Sequence, residues 1–263
     1  MRDHFSVSEI NCFCKCPMAH AWHYKEGLPI RPCGKMILGS CVDASVSKSF
    51  CNKITKGELL PLEEVRAAYH QAWTEKTKED IDWGQDSPDQ LRDEGEGLVI
   101  LHQKEVAPKV NPVAVQKEIR VSFQGLPDYL GFIDLVEKVD GKLAVTDLKT
   151  TGRSPGKDGQ GRYCPSPDHA LQVAAYAFCL KASGESPALA NLDYLVRNKT
   201  PKAIRVSLPV TDRLLTYFEN TALAVLTAIK KEAYYPNRGS FTCNPSFCSF
   251  WNVCNEKFPK SYF

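Results

Sequence analysis

The sequence predicts a mixed α/β domain, and three observations lead there. The run YLGFIDLVEKVDGKLAVTDLKTT, residues 129–151, reads as two strands meeting at Asp140-Gly141, a two-residue hairpin signal flanked by β-branched and aromatic side chains. Segments with helical periodicity come before it, and a helix, a second strand pair and a further amphipathic helix follow. Strands flanked by helices on both sides in sequence bury their apolar faces as a helix-covered sheet.

Composition sets the bounds. The chain has 263 residues, 43% hydrophobic and 24% charged, which suits one large globular domain or two small ones. Thirty-three basic against thirty-one acidic residues leave a formal charge of +2, which neither implies nor excludes nucleic acid, because a groove can be basic while the whole is neutral. No apolar run approaches the ~20 residues that span a bilayer, and Met1-Arg2-Asp3-His4 does not open a signal peptide, so an intracellular protein with no membrane partner is expected. Eleven cysteines, an odd number, cannot all pair and favour a reducing compartment.

Taken in order, Ser6 with Glu9 can cap a first helix, whose stripe Ile10, Phe13, Met18, Ala21 and Trp22 carries it to about Lys25. Residues 27–34, with two prolines, form a loop, and MILGSCVDASVSKSF then has helical spacing, with Gly39 allowing close approach to another backbone. Residues 62–81 and 90–106 give two amphipathic helices, their large apolar side chains assigned to the core. A strand over 113–123 alternates, with Val113, Val115, Ile119 and Val121 on one face and Glu118 and Arg120 on the other. After the hairpin comes a glycine-, proline- and base-rich loop, TGRSPGKDGQGRYCPSPD, which is either functional or floppy. Asp168 caps a helix from His169 to about Lys181, strands follow at 189–197 and 203–208, and a last helix covers 212–234.

The chemistry gathers on the hairpin. Alternation places Val145, Asp147 and Lys149 on one face of the second strand, and an antiparallel partner can bring Asp134 towards Asp147. Two carboxylates beside an ammonium suit a divalent cation and a water attacking a phosphodiester. The same residues also suit an ordinary cross-strand salt bridge.

The order G-F-I-D, then D-L-K-T, then Gln172 and Tyr176 four apart in QVAAY resembles the RecB-like branch of the PD-(D/E)xK nuclease superfamily. The resemblance implies a restriction-endonuclease-like core, a mixed central sheet flanked by helices. It implies one domain over 1–263: a mainly helical part at 1–110, the nuclease core at 111–235, and a cysteine-rich tail at 236–263 packed on the first helix. By resemblance Asp134, Asp147, Lys149, Gln172 and Tyr176 are catalytic. The metal set is Asp43, Glu118, Asp134, Asp147 and Leu148, with Mg2+ or Mn2+ as the ion. Asp43 stands where the family's G-x-x-x-H has histidine, and is either an oxygen ligand or part of a solvated helix face. Glu118 either reaches the metal or makes a surface pair with Arg120. Arg153, Lys157 and Arg162 are placed to meet phosphates.

Cys243, Cys248 and Cys254 crowd the tail, one thiol short of four. In the nuclease branch one early and three late cysteines hold a [4Fe–4S] cluster, so Cys16, Cys243, Cys248 and Cys254 are the expected set, with zinc or plain buried thiols as alternatives and Cys12 able to replace Cys16. The function this implies is a metal-dependent DNA nuclease, an exonuclease acting on single-stranded or duplex ends in a bacterial or phage-infected cytoplasm, with a recombination or helicase protein as a partner. The alternatives are an inactive DNA-binding or assembly module of the same fold, and a zinc-stabilised scaffold.

Overall fold

The computed structural model describes residues 3–123 and 127–259. Its centre is a six-stranded mixed sheet. Strand β1 (His4–Phe5) runs parallel to the start of β3 (Asp128–Val139), β2 (Pro112–Val121) runs antiparallel along β3, and β4 (Lys142–Thr151) closes the hairpin. The hairpin turn is the one the sequence calls for: Asp140 and Gly141 have φ of 49° and 76°, the pair of left-handed residues a type I′ turn requires.

Between β2 and the second half of the chain the sheet changes direction. Short strands β5 (Gly156–Lys157) and β6 (Tyr163–Cys164) form a separate hairpin, and helix α6 (Pro167–Ala182) crosses over to β7 (Leu189–Val196), which pairs parallel with β4 from Ala144↔Leu189 to Thr151↔Val196. Strand β8 (Lys202–Pro209) returns antiparallel to β7 as the far edge. The parallel β4–α6–β7 unit and the parallel β1–β3 pair, among antiparallel neighbours, make the sheet mixed, as expected from the sequence.

Helices cover both faces. On one, α1 (Val7–Lys15), α6 and α7 (Asp212–Lys230) pack a cluster that includes Ile10, Val145, Tyr176, Leu192 and Phe218. On the other, α3 (Gly34–Lys56), α4 (Leu62–Lys76) and α5 (Pro88–Leu101) enclose Leu38, Tyr69, Leu98 and Leu195, with Leu148 against them. Val145 and Leu148 therefore face opposite clusters, so β4 is the wall the two cores share.

The first helix is shorter than its apolar stripe suggests. Ser6 accepts from the Glu9 amide at 3.3 Å as the cap, but α1 ends at Lys15 and Cys16 is extended at φ −161°, ψ 108°. Proline at 17 forces the preceding residue out of the helical region, and the stripe resumes in α2 (Pro17–His20) and a π-helical turn (Ala21–Lys25). Strand β2 departs from clean alternation as well. A register shift between Pro112 and Ala114 turns Val113 outward, and Gln116 takes a left-handed φ of 47°. Ser166, not Asp168, stands at the cap position of α6, and its hydroxyl donates to the Asp168 carboxylate at 2.5 Å.

A third apolar cluster joins the tail to the N-terminal segment. Phe250 and Cys254, at the start of and within helix α8 (Trp251–Lys257), pack on Met18, Ala21 and Trp22. Among the described residues no helix is long and apolar enough to cross a membrane.

Candidate active site

The hairpin ladder stops short of the acids. Pairing between β3 and β4 runs from Val139↔Lys142 to Leu135↔Thr146 and goes no further, because beyond it β4 follows β7 while β3 stays with β2. Asp134 is the first residue of β3 past the split. Its Oδ2 accepts from the Leu148 amide at 3.2 Å, so a carboxylate takes the place of the missing ladder carbonyl. Asp147 sits across the gap, with its side chain fully buried.

Lys149 comes from the same face of β4. Its Nζ lies 2.7 Å from Asp147 Oδ2 and donates to Gln172 Oε1 at 2.9 Å, while Gln172 Nε2 donates to the Tyr176 hydroxyl at 2.9 Å. The four-residue spacing of Gln172 and Tyr176 on α6 makes this chain of contacts, and it holds the ammonium over the carboxylate. The Asp147 carboxylate is thus wholly buried, with the Lys149 ammonium and the Asp134 carboxyl as its near partners. On the opposite face Thr146 donates to the buried Glu137 at 2.5 Å, and Arg205 pairs with Glu137 and bidentately with Asp193, which fixes β4 from behind.

Asp43 approaches from α3. Gly39, one turn earlier, lets the helix close on β4: a Cβ there would lie 2.8 Å from Thr150 Oγ1. Gln116, in the irregular part of β2 opposite Asp134, donates to Asp43 Oδ2 at 3.2 Å. Nothing in the sequence marks Gln116, because its left-handed backbone, φ 47°, is a local irregularity that alternation does not foresee.

The three acids raise one another's proton affinity. Burial pushes the Asp43 carboxyl up to about 6, with Asp147 adding to it and Lys149 opposing. Burial likewise raises Asp134, reinforced by Asp43 and opposed by Lys149. It raises Asp147 too, against Lys149 and with Asp134, close enough for the two carboxyls to share a proton. Buried acids crowded together suit a hard divalent cation that takes a few carboxylates and completes its shell with water and phosphate. Among the described residues, no three His, Cys, Asp or Glu side chains stand at metal-holding spacing.

The other residues singled out in the sequence fall in different places. Glu118 is exposed on β2 opposite Phe132, and Arg120 pairs with Asp128 at 3.4 Å and Asp3 at 3.7 Å instead of with it. The basic loop is an ordered small hairpin. Arg162 is held by Asp158 at 2.8 Å, the Lys157 ammonium sits 4.7 Å from the Tyr163 ring centroid, and Arg153 is exposed at its base. Cys16, Cys243, Cys248 and Cys254 line a cleft of about 560 Å³ whose wall also includes Cys12, Lys149 and Gln172. Cys16 Sγ accepts from the Asn237 amide at 3.4 Å and Cys243 Sγ from Arg238 at 3.7 Å, contacts that suit thiolates.

Residues 4–255 match the PD-(D/E)XK nuclease superfamily. The chain belongs to this superfamily. The PD-(D/E)XK assignment agrees with the mixed sheet, and it covers nearly the whole length. A crystal structure of a candidate exonuclease from Eubacterium rectale superposes with a TM-score of 0.62 at 13% identity, over 93% of this chain and 86% of that one, which shows a common fold. A second solved structure, described as SSO0001, gives a TM-score of 0.32 at 14% identity over 94% of this chain and 96% of that one, too low to establish one. No curated protein matches the chain.

Proposed function

We propose that this PD-(D/E)XK protein is a metal-dependent DNA nuclease acting as an exonuclease, with Asp134 and Asp147 holding Mg2+ or Mn2+ and Asp43 assisting. The observation that carries the reading is the wholly buried Asp147 carboxylate 2.7 Å from Lys149 and beside Asp134, on a strand that splits from its partner at that point. The ion would supply charge neutralisation and an acidified water at the phosphate. Lys149, held by Gln172, orients the attacking water and offsets charge developing on the phosphate, and Tyr176 holds Gln172. Leu148 and Glu118 are secondary members of the metal set. Arg153, Lys157 and Arg162 bring phosphates to the cleft, Arg162 at the cost of its Asp158 pair.

Cys16, Cys243, Cys248 and Cys254 bind a [4Fe–4S] cluster that ties the tail to α2, with Zn2+ as the competing occupant. Their common cleft and the N–H groups aimed at two sulfurs support this. The division into a helical part at 1–110, a core at 111–235 and a tail at 236–263 follows from the same reading, as do DNA ends as substrate, a cytoplasmic setting and a recombination or helicase partner.

The test uses anaerobically purified protein with end-labelled linear and covalently closed circular DNA, single- and double-stranded, in Mg2+, Mn2+ or EDTA. The proposal expects metal-dependent shortening of linear DNA and sparing of circles. Cleaved circles would make it an endonuclease, and binding without cleavage in either metal would make it an inactive DNA-binding module.

A further inference from the structure

We propose that His169 is a substrate-contacting residue, a neutral N–H donor to a backbone phosphate of a single DNA strand lying in the cleft, and that Tyr194 positions it. His169 stands one turn before Gln172 on α6 and lines the cleft together with Lys149, Lys15 and Asn11. The cleft, of about 560 Å³, has room for a nucleotide or two of a separated strand.

The ring is fixed from below. His169 Nδ1 lies 3.0 Å from the hydroxyl of Tyr194, which is itself buried and stands opposite Lys149 in the β4–β7 register. In the proposed tautomer the Tyr194 hydroxyl donates to Nδ1. Nδ1 is thereby the acceptor and Nε2 carries the hydrogen. Nε2 has no hydrogen-bond partner among the described residues and is not among the buried orphan atoms, so its N–H is offered to the cleft.

The charges around the ring favour a neutral donor. Asp168 is paired with Lys15 at 2.8 Å, and Lys149 lies beyond. Burial pushes His169 down to about 4, Asp168 opposing and Lys149 and Lys15 reinforcing, so the imidazole is uncharged at neutral pH. A neutral donor next to the lysine would fix the register of the strand without adding to its electrostatic attraction. Nothing in the nuclease reading requires this residue, although the identity of the ligand rests on that reading.

The test is binding of a fluorescein-labelled single-stranded oligodeoxynucleotide in EDTA, followed by anisotropy across a salt series, with cleavage in Mn2+ measured separately. His169→Ala should weaken binding roughly ten-fold, the worth of one hydrogen bond to a charged oxygen. The slope of log affinity against log salt should not change, whereas losing a charged contact lowers it by about one unit. His169→Gln, which keeps an N–H donor, should recover most of the loss. Tyr194→Phe should weaken binding less than His169→Ala, and the double variant no more than His169→Ala alone. Binding by His169→Ala as tight as wild type, a slope lowered by one unit, no recovery with glutamine, or wild type that does not bind the strand would each overturn the proposal. Wild type that binds the strand and never cleaves it would sink the nuclease reading and leave the His169 contact standing.

Discussion

Replacing Asp147 with asparagine should stabilise the metal-free protein while removing its activity. The carboxylate is fully buried, and Asp134 and Asp43 add like charge, so ionising it without a cation is costly. Only Lys149 offsets this, and after the change its ammonium keeps Gln172 at 2.9 Å and some access to water. A buried charge costs several kcal/mol and the lysine pair returns part of it, so Asp147→Asn should gain about 1–3 kcal/mol at pH 8 in EDTA. At roughly 2–3 °C per kcal/mol for a chain of this size, the melting temperature should rise by several degrees. The sign follows from the raised carboxyls. A group whose folded pKa exceeds its unfolded one contributes stability fully present below the unfolded value and lost as pH rises through the folded one. Metal-free wild type should therefore weaken between about pH 4 and pH 7, and the gap to the variant should be much narrower at pH 5 than at pH 8 and close near pH 4. Mg2+ should stabilise wild type by about 3 kcal/mol at a hundred-fold excess over its dissociation constant and leave the variant unmoved. Thermal melts at pH 5 and pH 8, with EDTA or Mg2+, read all of this. A variant melting at or below wild type in EDTA at pH 8, or a gap that does not depend on pH, would refute the reasoning.

Other changes give separate readings. Lys149→Met should lower the cleavage rate by several orders of magnitude at unchanged DNA affinity, and Gln172→Ala should cost less because it loosens the ammonium without removing it; single-turnover assays compare them. Gly39→Ala should fail to stabilise in the native background, where its Cβ meets Thr150 Oγ1, yet gain about 1 kcal/mol of helix propensity once Thr150→Ala clears the space, a sign difference that urea titration would detect. Arg153→Ala should lower the salt slope of DNA binding by about one unit, while Arg162→Ala, already engaged by Asp158, should change it less. Alanine at Cys16, Cys243, Cys248 or Cys254 should lose iron and acid-labile sulfide together, and alanine at Cys51, exposed on α3, should lose neither.

The parts of the site governed by short-range periodicity were legible. Alternation put Asp147 and Lys149 side by side, the Asp-Gly pair set the hairpin, and a four-residue spacing aligned Gln172 with Tyr176. The sequence did not disclose what depends on departures from periodicity. Gln116 reaches Asp43 from a left-handed residue within β2, and α1 ends where Pro17 interrupts a stripe that reads as continuous. Arg162 finds Asp158 across a turn, where helical spacing rules do not apply. His169 also went unmarked, because its partner Tyr194 is on a strand twenty-five residues later and only the parallel register brings the two together.

The split between β3 and β4 also bears on the mechanics of the sheet. Along Leu135–Val139 the two strands are laced by ladder bonds, and from Asp134 onward side-chain contacts take over, its carboxylate reaching the Leu148 amide and the Asp147 carboxyl. Such a seam is compliant: β4 can move with β7 and β3 with β2, opening or narrowing the slit without breaking a row of backbone bonds. The spacing between the acids is thus an elastic quantity, set by whatever lies between them, and the adjacent rigid hairpin acts as the pivot.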